Sequence, residues 1–260
     1  MARVGRSTLG LLLCAAALVA GCGGGGEEGD TGGTAGGKAA VAPVEHLKVD
    51  RSVAGRVAGM VRFSGQPPPP RRITFTTGDC AALHSQVTVN DVDVHDGKLA
   101  GAFVYVKAGL ERYSFDPPPE PVLLDQVGCM FEPHVVAISV GQKLRMRNSD
   151  AALHNVHTFP QLNDLYNRAF PYKDAMQETS FTEAEVMIPI KCDVHGWMTA
   201  FVGVTAHPFR CVTGPDGAFA FDGLPPGNYL IEAWHEKLKP VSRRISLKPK
   251  ESLQTELVLQ

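Results

Sequence analysis

The stretch KCDVHGWM places a thiol, an imidazole and a thioether at Cys192, His195 and Met198, with two residues between neighbours. An alternating run, EVMIPIK, precedes it and AFVGV follows. The three side chains therefore belong to a tight loop between two strands, where they can converge on one point. Thiolate, imidazole and thioether are soft and borderline donors of the kind copper prefers. Such a set needs a second imidazole. NSDAALHNVH, directly after the strand-like KLRMRN, offers His154, with His157 as its competitor. Two imidazole nitrogens and a thiolate in a near-trigonal plane, with a long axial Met, make a one-electron site. Met187 and Met176 are the fallback axial donors. The plainer alternatives are a Cys192 paired in a disulfide with Cys80, Cys129 or Cys211, a Met198 that only fills the core, and strand histidines.

The elements that must hold these residues read as strands. VAGRVAGMVRF, QVTVNDVDVH, LAGAFVYVKAG, HVVAISV, KLRMRN, EVMIPIK, AFVGVTAH, AFAFDG, NYLIEAWH and SRRISLK alternate or are rich in β-branched and aromatic residues. Turn clusters such as SGQPPPPRR, DPPPEP, TGPDG and LPPGN separate them. Many short strands with Gly/Pro punctuation predict an all-β protein built from β-sandwiches. One short helix is expected, at Leu162–Arg168. Two proline breaks suggest three successive units: an N-terminal β unit over 48–120, a unit with the metal constellation over 121–206, and a C-terminal β unit over 207–260.

The first residues point to export. MARVGRST carries two arginines, LGLLLCAAALVA is apolar, and small residues follow, the order of a secretory signal over 1–22. Val19-Ala20-Gly21-Cys22 matches a bacterial lipoprotein box, so Cys22 is the expected lipid acceptor. Gly23 after it favours the outer membrane in a cell with two. No later stretch reaches the roughly 20 apolar residues of a spanning helix. Residues 23–47 begin GGGGEEGDTGGTAGG, too poor in apolar side chains to offset the entropy of ordering, and are expected to be a flexible tether. About 215 residues remain, enough for one large or two to three small domains.

A net charge of −2 without a basic run leaves no nucleic-acid footprint. Of six cysteines, Cys14 lies in the signal segment and Cys22 takes the lipid. In an oxidising compartment Cys80 and Cys129 are expected to form a disulfide. A zinc site with His84 and His134 is the alternative. Cys211 is then a leftover thiol, and His235 is structural.

The 121–206 unit resembles the cupredoxins, and among them the amicyanin group. The resemblance rests on VGQKLRMRNSDAALHNVHTF, on FTEAEVMIPIK, and on the compact C-x-x-H-x-x-M spacing of CDVHGWM. It implies a Greek-key β-sandwich flanked by smaller β units. It also implies one mononuclear type 1 copper on His154, Cys192, His195 and Met198, and an Asn155 that braces the Cys192 loop. His195 would lie at the surface as the electron port. Ala152-Leu153 stands where the family often has a proline, and NDLYNRAFPYKDAMQ looks like an insertion, so the surface around the site differs. TGPDGAFAFDGLPPGNYLIEAWHE resembles the transthyretin-like regulatory domain of some carboxypeptidases, which implies a spacer or binding platform. Trp197, inside the ligand loop, either shields the metal or belongs to a docking patch.

Together these readings point to one-electron transfer between extracytoplasmic redox proteins by a lipid-anchored carrier that is not an enzyme. Copper storage or delivery at the envelope and a surface scaffold are the other two classes.

Overall fold

A computed structural model describes residues 47–75, 78–84 and 86–260. The signal segment 1–22 with Cys22, and the tether 23–47 apart from Leu47, lie outside the described residues. No helix among the described residues is long and apolar enough to cross a membrane.

The described chain is almost entirely β. It begins with β1 (Gly55–Phe63), β2 (Arg71–Thr74), the short helix α1 (Gly78–Leu83), β3 (Gln86–Val89), β4 (Val94–His95), β5 (Lys98–Leu99) and β6 (Phe103–Ala108). Next come β7 (Val122–Val127), β8 (Met130–Glu132), β9 (Val135–Ser139), β10 (Leu144–Asn148), β11 (His154–Thr158), β12 (Asn167–Phe170), β13 (Met176–Thr179), β14 (Glu185–Lys191) and β15 (Thr199–Thr205). The last group is β16 (Arg210–Val212), β17 (Ala218–Leu224), β18 (Gly227–His235), β19 (Leu238–Leu247) and β20 (Ser252–Leu259). The period-2 rule is plain in β17, where Phe219 and Phe221 point inward while Ala218 and Ala220 face out. Leu162–Arg168 is not a helix. It is a loop running into β12, where Asn163 turns its side-chain oxygen to the backbone N–H groups of Thr182 and Glu183 at 2.9 Å.

Strand pairing redraws the expected domain plan. β1 pairs antiparallel with β17 and parallel with β20, while β6 lies between β16 and β18. Residues 48–120 and 207–260 are therefore not two separate units. Their strands form two sheets, β17-β1-β5-β4 with β20 on β1, and β16-β6-β18-β19. One core joins these sheets, with Val57, Val61, Leu99, Val104, Phe221, Ile231 and Leu257 among its buried members. Neither segment could bury its apolar face alone, because every central strand of one finds a partner in the other. We call this sandwich the host.

The insert is a second two-sheet sandwich, with sheets β13-β10-β7-β8 and β12-β11-β14-β15-β9. Its core gathers Leu124, Leu144, Met146, Val156, Ile188, Ile190 and Val202. Ile73, Phe75 and Cys80 belong to that same core, so the excursion β2–α1–β3 leaves the host and folds onto the insert. Host and insert meet through apolar side chains: Phe103 and Tyr105 with Val135, and Phe201 against Trp234 at 5.1 Å between ring centroids. Gly203 permits this approach, since a Cβ there would stand 2.5 Å from the Phe103 ring.

Candidate metal centre

The site sits at one end of the insert, where β11 begins and the β14–β15 loop turns. Backbone hydrogen bonds from the Cys192 N–H to the Met198 carbonyl (3.2 Å) and from the Met198 N–H to the His195 carbonyl (2.9 Å) close that loop. Asn155, the second residue of β11, accepts from the Asp193 N–H at 2.6 Å and donates to the Asp193 carboxylate at 2.8 Å. The loop is thus tied to the strand that carries His154. Asn148, fully buried at the end of β10, donates to the Ala152 and Phe170 carbonyls at 2.8 and 3.0 Å and shapes the turn leading into His154.

These supports bring His154, Cys192 and His195 together. One donor atom from each lies within 4.8 Å of the others, and all three residues are buried. The two imidazoles face each other Nδ1 to Nδ1 at 2.8 Å, and the His195 Nδ1 stands 3.9 Å from the Cys192 Sγ. Met198 is fully buried in the same core as Cys192.

The competing residues stand elsewhere. His157 points to Asp193 at 3.1 Å and stacks on Phe159. Met187 packs at the host–insert contact, and Met176 is 52% exposed.

The cysteine alternatives also separate. Cys80 and Cys129 form a disulfide with their Cα atoms 5.9 Å apart. The zinc reading is overturned, because neither sulfur is a free thiolate. Both ring nitrogens of His134 are moreover engaged elsewhere, Nδ1 facing the Thr199 carbonyl at 2.9 Å and Nε2 the Glu236 carboxylate at 2.8 Å. Cys192 and Cys211 are free thiols; burial pushes Cys211 up to about 11.

Asp150 is the residue that sequence reasoning missed. Gly128 and Cys129 both take positive φ (61° and 57°) at the two-residue β7–β8 turn, the conformation a tight hairpin demands. Their N–H groups consequently point the same way, and both donate to the Asp150 carboxylate, at 2.7 and 2.8 Å. That carboxylate accepts from the His154 Nε2–H at 3.0 Å. The His154 Nδ1 is left facing the cluster, the arrangement by which a carboxylate orients a metal-binding imidazole. An acid a few residues before a ligand histidine was the available signal.

His195 contradicts its expected place at the surface: it is 3% exposed. Its Nε2 lies 3.5 Å from the Cys80 Sγ, and the Trp197 ring lies against it with centroids 5.1 Å apart. The disulfide holds α1 over this edge.

The electrostatics favour a cation. Burial pushes the Cys192 thiol up, but hydrogen bonds from the His154 ring and the amides of Asn155, His195 and Val194 outweigh it and hold the thiol below its ordinary value. Burial alone would lower His154. Asp150 and Cys192 overcome it and raise His154 to about 8. Burial and the facing His154 lower His195, with Asp79 and Asp150 opposing.

A disulfide sulfur carries no proton, so the His195 Nε2 is best matched to Cys80 as a weak donor. A proton on the His154 Nδ1 fits its 2.8 Å approach to the His195 Nδ1; once it leaves, both Nδ1 atoms and the Cys192 sulfur face one buried space. A soft or borderline metal ion satisfies that donor set. The second grouping of donors, Cys129, Asp150 and His154, lacks a usable thiolate because Cys129 is in the disulfide.

No protein-family model matches the chain, and no curated protein matches it. Among solved structures, it is similar to the Cu-containing nitrite reductase of Thermus scotoductus SA-01, at 19% identity over 39% of this chain, with a TM-score of 0.31. The match spans only 25% of the nitrite reductase. A purple cupredoxin from Nitrosopumilus maritimus matches at 18% identity over 32% of this chain and 99% of that protein, TM-score 0.29. An oxidised point variant of amicyanin matches at 20% identity over 39% of this chain and 97% of that protein, TM-score 0.30.

Proposed function

We propose that the protein is an exported, lipid-anchored electron carrier with a single type 1 copper held by His154, Cys192, His195 and Met198. The observation that carries this reading is the buried convergence of the His154 Nδ1, the His195 Nδ1 and a free Cys192 sulfur within 4.8 Å. Bound copper would supply a reversible one-electron couple. The chain supplies the rest. Asp150 fixes the His154 ring, and Asn155 locks the ligand loop to β11. Burial keeps water from the donors, so the protein's own side chains would supply the coordination. Met198, buried in the same core as Cys192, would offer a thioether as a weak further donor. The proposal includes extracytoplasmic redox proteins as partners and a membrane attachment through lipid on Cys22. It assigns the chain no catalysis of its own.

Addition of one equivalent of Cu(II) should give an intense visible thiolate-to-copper band and a reversible voltammetric wave. Cys192→Ser should remove the band while leaving the fold. A colourless wild-type protein, or a wave that cannot be cycled, would sink the proposal. Copper delivery predicts ready surrender of the ion to a competing chelator; the sealed site should resist it.

A further inference from the structure

An electron carrier needs an exit, and in this chain every donor is closed in. His154 and Met198 are 0% exposed, Cys192 is 2% and His195 is 3% exposed. The outer edge of His195 meets the Cys80 sulfur at 3.5 Å, with the disulfide to Cys129 fastening α1 above it. His195 does touch one side chain that reaches the outside. Trp197 lies against it at 5.1 Å between centroids, the planes inclined at 38°. The indole is held in place: its Nε1–H donates to the Cys129 carbonyl at 3.0 Å, and Phe75 packs on it at 5.1 Å. Trp197 is only half-buried and lines a cleft of about 510 Å³ between insert and host. Phe131, His134 and Val135 of the insert and Val212, Glu236 and Lys237 of the host share that cleft.

We propose that Trp197 is the electron port of this protein and that the oxidant or reductant reaches it through the host–insert cleft. The proposal rests on the copper reading above. One electron leaves the reduced site and arrives on the external oxidant; no bond forms or breaks and no proton moves. The host then has a direct part in the reaction, because its Glu236 and Lys237 line the approach. The rival exit is the exposed pair beside the ligands, Leu153 and Val194, each 45% exposed.

The test follows oxidation of the copper-loaded, reduced full chain by hexacyanoferrate(III) in stopped flow. Trp197→Leu should keep the visible band and the reduction potential while the rate falls severalfold. Leu153→Ala should leave the rate unchanged. A second variant leaves Trp197 untouched. Lys237→Glu places an acid on the cleft wall, and should slow the anionic probe more than Arg244→Glu, which makes the same net-charge change on an exposed face of β19. That difference should fade at high salt. An unchanged or faster rate in Trp197→Leu, a fall in Leu153→Ala, or equal effects of the two charge reversals would overturn the port. Absence of the band in the wild-type protein would instead mean that the copper reading has failed.

Discussion

Host and insert each bury a carboxylate, Glu232 within β18 and Asp150 in the loop between β10 and β11, and the two are put to different use. In the host, Glu232 is 7% exposed and takes hydrogen bonds from Tyr105 (2.7 Å), Lys107 (2.6 Å) and Ser242 (2.6 Å). Its partners are all side chains of neighbouring strands, so the group is closed on itself. In the insert, Asp150 is 5% exposed and takes two backbone N–H bonds before the His154 ring. Burial would raise both acids, and hydrogen bonds reverse that in each case. The same physics therefore yields a structural clasp in one region and an oriented imidazole in the other. What differs is whether the last partner in the network can itself bind something.

The sharpest break in this comparison would be to separate the regions. Phe103 is fully buried at their contact, and Phe103→Ala should cost about 3–5 kcal/mol. The two tryptophans, Trp197 in the insert and Trp234 in the host, report on each region in denaturant titrations of single Trp→Phe variants. Coupled regions should shift together, and a shift confined to Trp234 would show that the insert stands alone.

The Cys80→Ala/Cys129→Ala pair should cost about 2–4 kcal/mol, read chiefly at Trp197, because the disulfide closes a separation of 49 residues onto the insert core. Asp150→Asn should weaken metal binding by about 10–100-fold in a calorimetric titration, while Glu232→Gln should leave it unchanged. Equal losses would erase the distinction between the two carboxylates. The smallest effect concerns acid. Because Glu232 is held below its ordinary 4.5, its contribution is complete above that pH and is lost as the pH falls through the lowered value. Glu232→Gln should accordingly flatten the acid limb of host stability.

The cluster of His154, Cys192 and His195 was legible because its signals are local. Cys192, His195 and Met198 share one loop, and His154 follows a recognisable strand. The all-β character was legible for the same reason, since alternation is a property of neighbours. Partnership is not. Nothing in VAGRVAGMVRF states that its parallel partner is SLQTELVL, because the pairing of Val57 with Leu253 depends on two faces finding one core. The burial of His195 was hidden likewise: its cover comes from Cys80, 115 residues earlier. Asp150 escaped because its role depends on the Gly128-Cys129 turn directing two amides at it, which spacing alone does not reveal.

The pairing of β1 with β20 also sets an order in time. All the strands that build the insert, and both halves of its disulfide, have been made once residue 206 is complete. β1 must then wait for residues 252–259 before its second edge is covered. Until then the His154–Cys192–His195 cluster hangs within an unfinished scaffold whose oldest strand still shows an open edge. A chaperone that shields β1 would serve the host and be of no use to the insert.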